Sequence, residues 1–280
     1  MTTVTVLGLG PMGQALTRAF VAAGHSVTAW SRTAATPTPA GVTRAGTAAE
    51  AIAAGELTVV CIRGEAAVAA TLDPLDLAGR TLVNLTSGTP AQARARAAKA
   101  VDVDYLAGAI MTPAPTVGTS AALVLYSGPE AMYEKWSEVL AAIGGTASYL
   151  GTDPGRASAY DIALLDLFWN SVNGIVHGLA LARAEGISGA ELAPYGQGLV
   201  GLLPNMLTRF GEQLDAGEFP GAVSTIASAE VSLEHIAETS AEHGIDASAL
   251  VGGLRLVQRA IKDGHGADGL ARLADTLGRV

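Results

Sequence analysis

The chain has 280 residues, of which 49% are hydrophobic and 15% charged. That balance excludes a disordered chain and gives enough length for two ordinary domains. A formal charge of −9, with no basic run, argues against a nucleic-acid partner, and the single cysteine, Cys61, excludes an intrachain disulfide.

Residues 3–7 (TVTVL) read as a short β-branched strand, and QALTRAFVAAG as a helix ending at Gly24, followed by a strand over HSVTAW. Between the first strand and the helix lies GLGPMG, so Gly8, Leu9, Gly10, Pro11, Met12 and Gly13 form a G-x-G-x-x-G turn in a β-turn-α-β setting. Gly8 permits the tight turn, Gly10 lets backbone approach a pyrophosphate, and Gly13 lets the helix pack close to the strand. The helix N-terminus offers N–H groups and the positive end of its dipole to the anion. The expectation is a dinucleotide site. The apolar start lacks a positive n-region, so it reads as a strand and not a signal peptide.

The end of the second strand selects the dinucleotide. An NAD site places a carboxylate there for the ribose diol; this chain has Ser31, Arg32 and Thr33, with no carboxylate until Glu50. A planar cation flanked by hydroxyls suits a 2′-phosphate, so the reading is NADP(H).

Next come a Pro-rich loop at 34–41, a short strand near Val42, a helix at 47–54 and a strand over LTVVCI, ending at Ile62. Cys61 reads as a small core residue. After this strand, Arg63 and Gly64 begin a loop at the carboxyl end of the sheet, where ligands of open α/β folds bind, and Ile62 and Arg63 are candidates for cofactor contact there. A strand over 80–85 leads into TSGTP. Thr86 and Ser87 put hydroxyls on a second such loop, Thr89 is placed to cap the helix that Pro90 opens, and no metal-ligand cluster appears. Strands at 103–109 and 120–127, a helix at 130–142 and a strand at 146–150 complete the first domain, residues 1–153.

The stretch 154–186 predicts one helix on the order of 45 Å long, opened by Pro154 and stopped by Gly186. It is too long and too apolar for the surface of one small domain, and it reads as a spine between two. No uninterrupted apolar run reaches membrane-span length. Beyond it the chain is helical: 189–216 with a break near Pro204, then 227–243, 247–262 and 269–277. The second domain, 154–280, is small for so much helix, which predicts that a second copy supplies missing core. The expectation is a homodimer in the cytoplasm.

Asp161 stands early in the spine in apolar company. At 100° per residue, Leu164, Leu165 and Phe168 fall within about 60° of it and Trp169 within about 80°. A carboxyl there is desolvated, which raises its pKa toward proton donation; the alternative is a half-exposed acid favoured by the helix dipole. No lysine occurs between Lys135 and Lys262. A 3-hydroxy acid needs a cation near its reacting hydroxyl and carboxylate. An acid in that place instead favours a cationic iminium.

On GLGPMG (8–13), Ser31-Arg32-Thr33, NLTSGTP (84–90), DPGRASAYDIALL (153–165) and GHGADGLARL (264–273), the chain resembles the imine reductases and reductive aminases of the β-hydroxyacid dehydrogenase superfamily. The resemblance implies an α/β architecture. An N-terminal Rossmann domain is joined by a long interdomain helix to an all-α C-terminal dimerisation domain that interlocks with its partner's. It implies NADPH as hydride donor, imines (cyclic ones above all) as substrates, and Asp161 as proton donor or iminium-orienting residue. Trp169 then falls at a pocket position often held by Tyr, and Ser87 where some reductive aminases carry Asn. Phe168 and Met206 are further candidates for the pocket wall. Ser31 replaces a frequent Asn, and Thr36 lies near a position where Lys often assists the 2′-phosphate, so NADP preference leans on Arg32. The rival readings are a 3-hydroxyacid dehydrogenase, which the missing lysine disfavours, and a non-catalytic NADP-binding protein.

Overall fold

A computed structural model describes residues 1–278. They form two compact units, Met1–Leu167 and Phe168 onward.

The first unit is built on one eight-stranded sheet. In chain order its elements are β1 (Thr3–Leu7), α1 (Pro11–Ala22), β2 (Ser26–Trp30), β3 (Val42–Arg44), α2 (Ala48–Ala54), β4 (Leu57–Val60) and α3 (Glu65–Leu72). There follow β5 (Thr81–Asn84), α4 (Pro90–Lys99), β6 (Asp104–Ile110), β7 (Leu123–Ser127), α5 (Glu130–Leu140) and β8 (Thr146–Tyr149). The strand order is β3-β2-β1-β4-β5-β6-β7-β8. All neighbours are parallel except β6 and β7. The order reverses between β1 and β4, and that switch point is where an open α/β sheet binds ligands, at the carboxyl ends of its strands. One core, with Val6, Leu16, Phe20, Val59, Leu106 and Tyr126, covers one face; Leu7, Ile52, Val60, Val68 and Leu82 belong to the other. Strands β4 and β5 are buried at every position, as expected of parallel strands covered on both sides.

Helix α3 is absent from the sequence reading. EAAVAATL has no apolar stripe to mark it, and its start is set by Gly64, which takes a positive φ of 79°. Its partner is α4. Arg96, 6% exposed, reaches from α4 to Glu65 at 2.5 Å and to Asp73 beyond the end of α3. Thr89 caps α4 as its position predicts, in a reciprocal capping box with Gln92.

The long helix α6 runs Arg156–Ala184, 29 residues, about 44 Å at 1.5 Å per residue. It starts two residues later than Pro154 suggests, because Pro154 and Gly155 form a turn held from below. Asp153 accepts the Gly155 N–H at 2.9 Å and pairs with Arg94 of α4 at 2.7 Å. The Arg94 hydrogen bonds, first, hold the Asp153 carboxyl down at about 2. A Cβ on Gly155 would lie 2.9 Å from the Pro90 carbonyl oxygen and 2.7 Å from the Arg94 guanidinium carbon, so a larger residue here requires the turn and Arg94 to shift. Buried Ser127, at the end of β7, accepts the Ala157 N–H at 3.0 Å and donates to the Pro154 carbonyl at 3.1 Å. The first turns of α6 are thus pinned to the sheet unit.

The second unit is helical, with α7 (Gly189–Val200), α8 (Leu203–Ala216), α9 (Ile226–Glu242), α10 (Ser248–Ala260) and α11 (Leu273–Leu277). The expected 189–216 helix is two helices. The chain turns at Gly201-Leu202, and Pro204, which cannot donate to a preceding turn, opens the second. Pro194 lies inside α7 without ending it. A small core of Ile226, Val257 and Ala260 holds α9 to α10, while α7 and α8 bury no residue.

Candidate active site

The glycine loop follows β1 at the switch point. Gly8 has φ of 105°, and a Cβ there would lie 2.1 Å from the Cys61 carbonyl oxygen at the end of β4. A Cβ on Gly13 would lie 1.9 Å from the Gly8 carbonyl oxygen, so this residue sets how closely α1 approaches β1. Gly10 has nothing within 4 Å of its missing Cβ, so the loop is open there. Pro11 opens α1 and no acidic residue lies in its first turn. A tight inner side, an open outer side and an uncancelled helix N-terminus fit a pyrophosphate. Leu9 is fully buried and Met12 packs against the first core, so both support the loop from within. Cys61 is inert, since burial pushes its thiol up to about 11.

At the end of β2, Ser31 is half-buried and Arg32 and Thr33 are exposed. The Ile62 N–H donates to Thr86 Oγ1 at 3.2 Å, joining the loops after β4 and β5; Arg63 beside it is exposed.

Asn84 was not singled out in the sequence as a site residue, yet it organises this corner. Its amide donates to the Tyr105 hydroxyl at 3.1 Å and its oxygen accepts the Thr86 N–H at 3.0 Å. Burial pushes Tyr105 up to about 12, so its ring stays neutral. Thr86, Ser87 and Gly88 line a narrow cleft with Gln92 and with Ser158 of α6. Ser158 was missed because a lone serine in a helix gives no signal; it lies one turn before Asp161, on the same face.

Asp161 is 3% exposed. The half-exposed alternative for it is thereby excluded. Burial raises its pKa, and a hydrogen bond from the Ser87 hydroxyl opposes that shift. Its Oδ2 is buried without a hydrogen-bond partner among the described residues. A carboxyl oxygen left unpaired in a desolvated place favours the protonated form and has capacity to bond a ligand. Replacing Ser87 by alanine removes the one group that lowers the Asp161 pKa. With Asp161 as an acid in the reaction, a limb of the pH–rate profile is expected to move to higher pH in this variant, and turnover to fall by about tenfold or less. An unmoved limb would show that the two groups do not interact in the working enzyme.

The remaining candidates belong to the second unit. Phe168 and Trp169, each 58% exposed, meet edge to face with ring centroids 5.4 Å apart. Met206 is half-buried on α8. No group of His, Cys, Asp and Glu able to hold a metal occurs among the described residues.

Comparison with known proteins agrees with this geometry. Residues 3–151 match the NAD binding domain of 6-phosphogluconate dehydrogenase, and residues 153–279 match the NADPH-dependent reductive aminase-like C-terminal domain. An NADPH-dependent reductive aminase of Aspergillus oryzae is 30% identical over 97% of this chain and 96% of its own. The imine reductase from Myxococcus stipitatus in complex with NADP+ superposes with a TM-score of 0.94 at 32% identity, covering 98% of this chain and 99% of that one. The reductive aminase from Aspergillus terreus, in complex with NADPH4, cyclohexanone and allyl amine, gives 0.91 at 36% identity, covering 99% of each chain. The chain belongs to the imine reductase and reductive aminase family, NADPH-dependent oxidoreductases that act on C=N bonds.

Proposed function

We propose that this enzyme reduces cyclic imines to secondary amines, with Asp161 delivering the proton to nitrogen. The observation that carries the reading is the buried Asp161 carboxyl beside Ser87, with one oxygen unpaired. Residues Gly8 to Gly13 would hold the pyrophosphate, Ser31, Arg32 and Thr33 the 2′-phosphate, and Ile62, Arg63 and Thr86 the nicotinamide end. Bound NADPH supplies the hydride that adds to the imine carbon. The chain itself serves the nitrogen. Burial shifts the Asp161 carboxyl toward its proton-bearing form, which donates to the nitrogen as the C=N bond becomes a C–N bond, and the resulting carboxylate is steadied by the Ser87 hydroxyl. With no lysine between Lys135 and Lys262, this place offers no ammonium group to an anionic hydroxy acid. Phe168, Trp169 and Met206 form the apolar wall of the pocket.

The reading divides the chain into a cofactor domain, 1–153, and a helical domain, 154–280, that pairs with a second copy. Support for the homodimer is the apolar surface of the helical part. Val176, Tyr195, Leu199 and Leu207 are 62%, 80%, 70% and 58% exposed, far beyond scattered surface apolar residues. Sedimentation should show a dimer, and a monomer at working concentration would remove this part of the reading. No helix among the described residues is long and apolar enough to cross a membrane; a cytoplasmic location accords with the free Cys61.

The function is tested by following NADPH absorbance with 1-pyrroline or 2-methyl-1-pyrroline, beside 3-hydroxyisobutyrate with NADP+. Consumption with the imines and none with the hydroxy acid is expected; the reverse would overturn it.

A further inference from the structure

We propose that Arg44 is a specificity-determining positioning residue, which shapes the loop after β2 into a receptor for a 2′-phosphate. The inference rests on the cofactor reading above and concerns a residue outside the proposed contact set.

Residues 31–41 have little means of holding a shape. They form no helix or strand, Pro37 and Pro39 have no N–H to donate, and the loop's own main-chain bonds are Thr36 N–H to Thr33 at 3.1 Å and Val42 N–H to Pro39 at 3.3 Å. Arg44 supplies what is missing. It stands on β3, in register with Ala29 of β2. One terminal nitrogen donates to the Thr36 carbonyl at 3.2 Å and the Thr38 hydroxyl at 3.4 Å. The other donates to the carbonyls of Ser31 at 3.1 Å and Thr33 at 3.2 Å. One planar fork thereby ties together eight residues of loop, which a lysine ammonium cannot match in geometry.

Arg32 is the opposite case. It is exposed, with no hydrogen bond or ion pair among the described residues. The two arginines divide the work: Arg44 commits both terminal nitrogens to the loop, and Arg32 is left for a ligand. Arg44 also occupies the carbonyl oxygens of Ser31 and Thr33, the two residues flanking Arg32, which would otherwise repel a phosphate dianion. It has no carboxylate partner among the described residues, so its positive charge adds to the field at that place. A residue acting this way affects the 2′-phosphate and not the rest of the dinucleotide. That separates it from a residue that merely holds the domain together.

The test is binding, read from nicotinamide fluorescence as NADPH or NADH is titrated into wild type, Arg44→Ala, Arg44→Lys and Arg32→Ala. Arg44→Ala is expected to weaken NADPH by about tenfold or more and NADH by about threefold or less, with Arg44→Lys between it and wild type. Equal weakening of both cofactors, or of neither, would overturn the proposal. Should Arg44→Ala not fold, Arg44→Lys reads the same ratio. Arg32→Ala separates the two levels: if it leaves the ratio unchanged, the assignment of the 2′-phosphate to this loop fails. If it lowers the ratio while Arg44→Ala does not, only the role of Arg44 fails.

Discussion

Replacing Asp161 by alanine is expected to lower kcat for a cyclic imine by about 10²-fold or more, the range for loss of a positioned general acid, the role proposed for it. Because the carboxyl is buried and its pKa is raised, with only the Ser87 hydrogen bond opposing the shift, the same residue also costs stability when ionised. The sign follows from linkage. A raised folded-state pKa means the folded chain holds its proton more tightly than the unfolded chain, so stability falls as pH rises through that folded value. Asp161→Asn, which cannot ionise, is therefore expected to melt higher than wild type at neutral and alkaline pH. The gap narrows as pH falls toward the ordinary carboxylate range. Activity and stability move in opposite directions at one residue, as happens where a site keeps a strained group for its chemistry. Thermal melts of both proteins across that pH range check this, and a constant gap would show that ionisation of Asp161 is not the cause.

Gly13→Ala is expected to abolish cofactor binding, by about 10²-fold or more, through geometry alone. The added Cβ would lie 1.9 Å from the Gly8 carbonyl oxygen, far inside any tolerated contact, so α1 must move away from β1. That shift withdraws the helix N-terminus and its N–H groups from the place where a pyrophosphate would sit. A clash with backbone cannot be relieved by a rotamer change, and it also costs stability on the order of 1–3 kcal/mol. Gly10→Ala is the contrasting variant: its Cβ has open space on the protein side, so the fold is kept and only ligand approach suffers. Melting temperature and NADPH titration of the two variants separate these effects, and equal behaviour would refute the assignment of separate roles to the two glycines.

Much of this site was legible because its residues announce themselves by type and spacing. Gly8, Gly10 and Gly13 sit in a pattern that only a close approach explains, and Arg32 stands where a carboxylate would otherwise be. Asp161 was legible as an acid among apolar neighbours, but its burial was not, because a position near a helix start allows a half-exposed carboxylate equally well. The structure decides this through Ser87, 74 residues away in sequence. Helix α3 escaped because its alanines make every face apolar, so the buried side of Val68 and Leu72 forms no stripe, and the start of α6 shifted because Asp153 and Ser127 hold the Pro154-Gly155 turn outside the helix. Arg44, Asn84 and Ser158 escaped for a common reason. Arg44 and Asn84 act by hydrogen bonds to backbone or to another side chain, and Ser158 by lining the cleft beside Ser87, and such placements leave no mark on local sequence.

Proton transfer from Asp161 to the substrate nitrogen is tested most directly by comparing wild type with Asp161→Asn on two substrates, 2-methyl-1-pyrroline and its N-methylated iminium ion, which carries its charge already and needs no proton. Asp161→Asn is expected to lose about 10²-fold in turnover on the neutral imine and far less on the iminium ion. Undiminished turnover of the imine, or equal losses on both substrates, would contradict it.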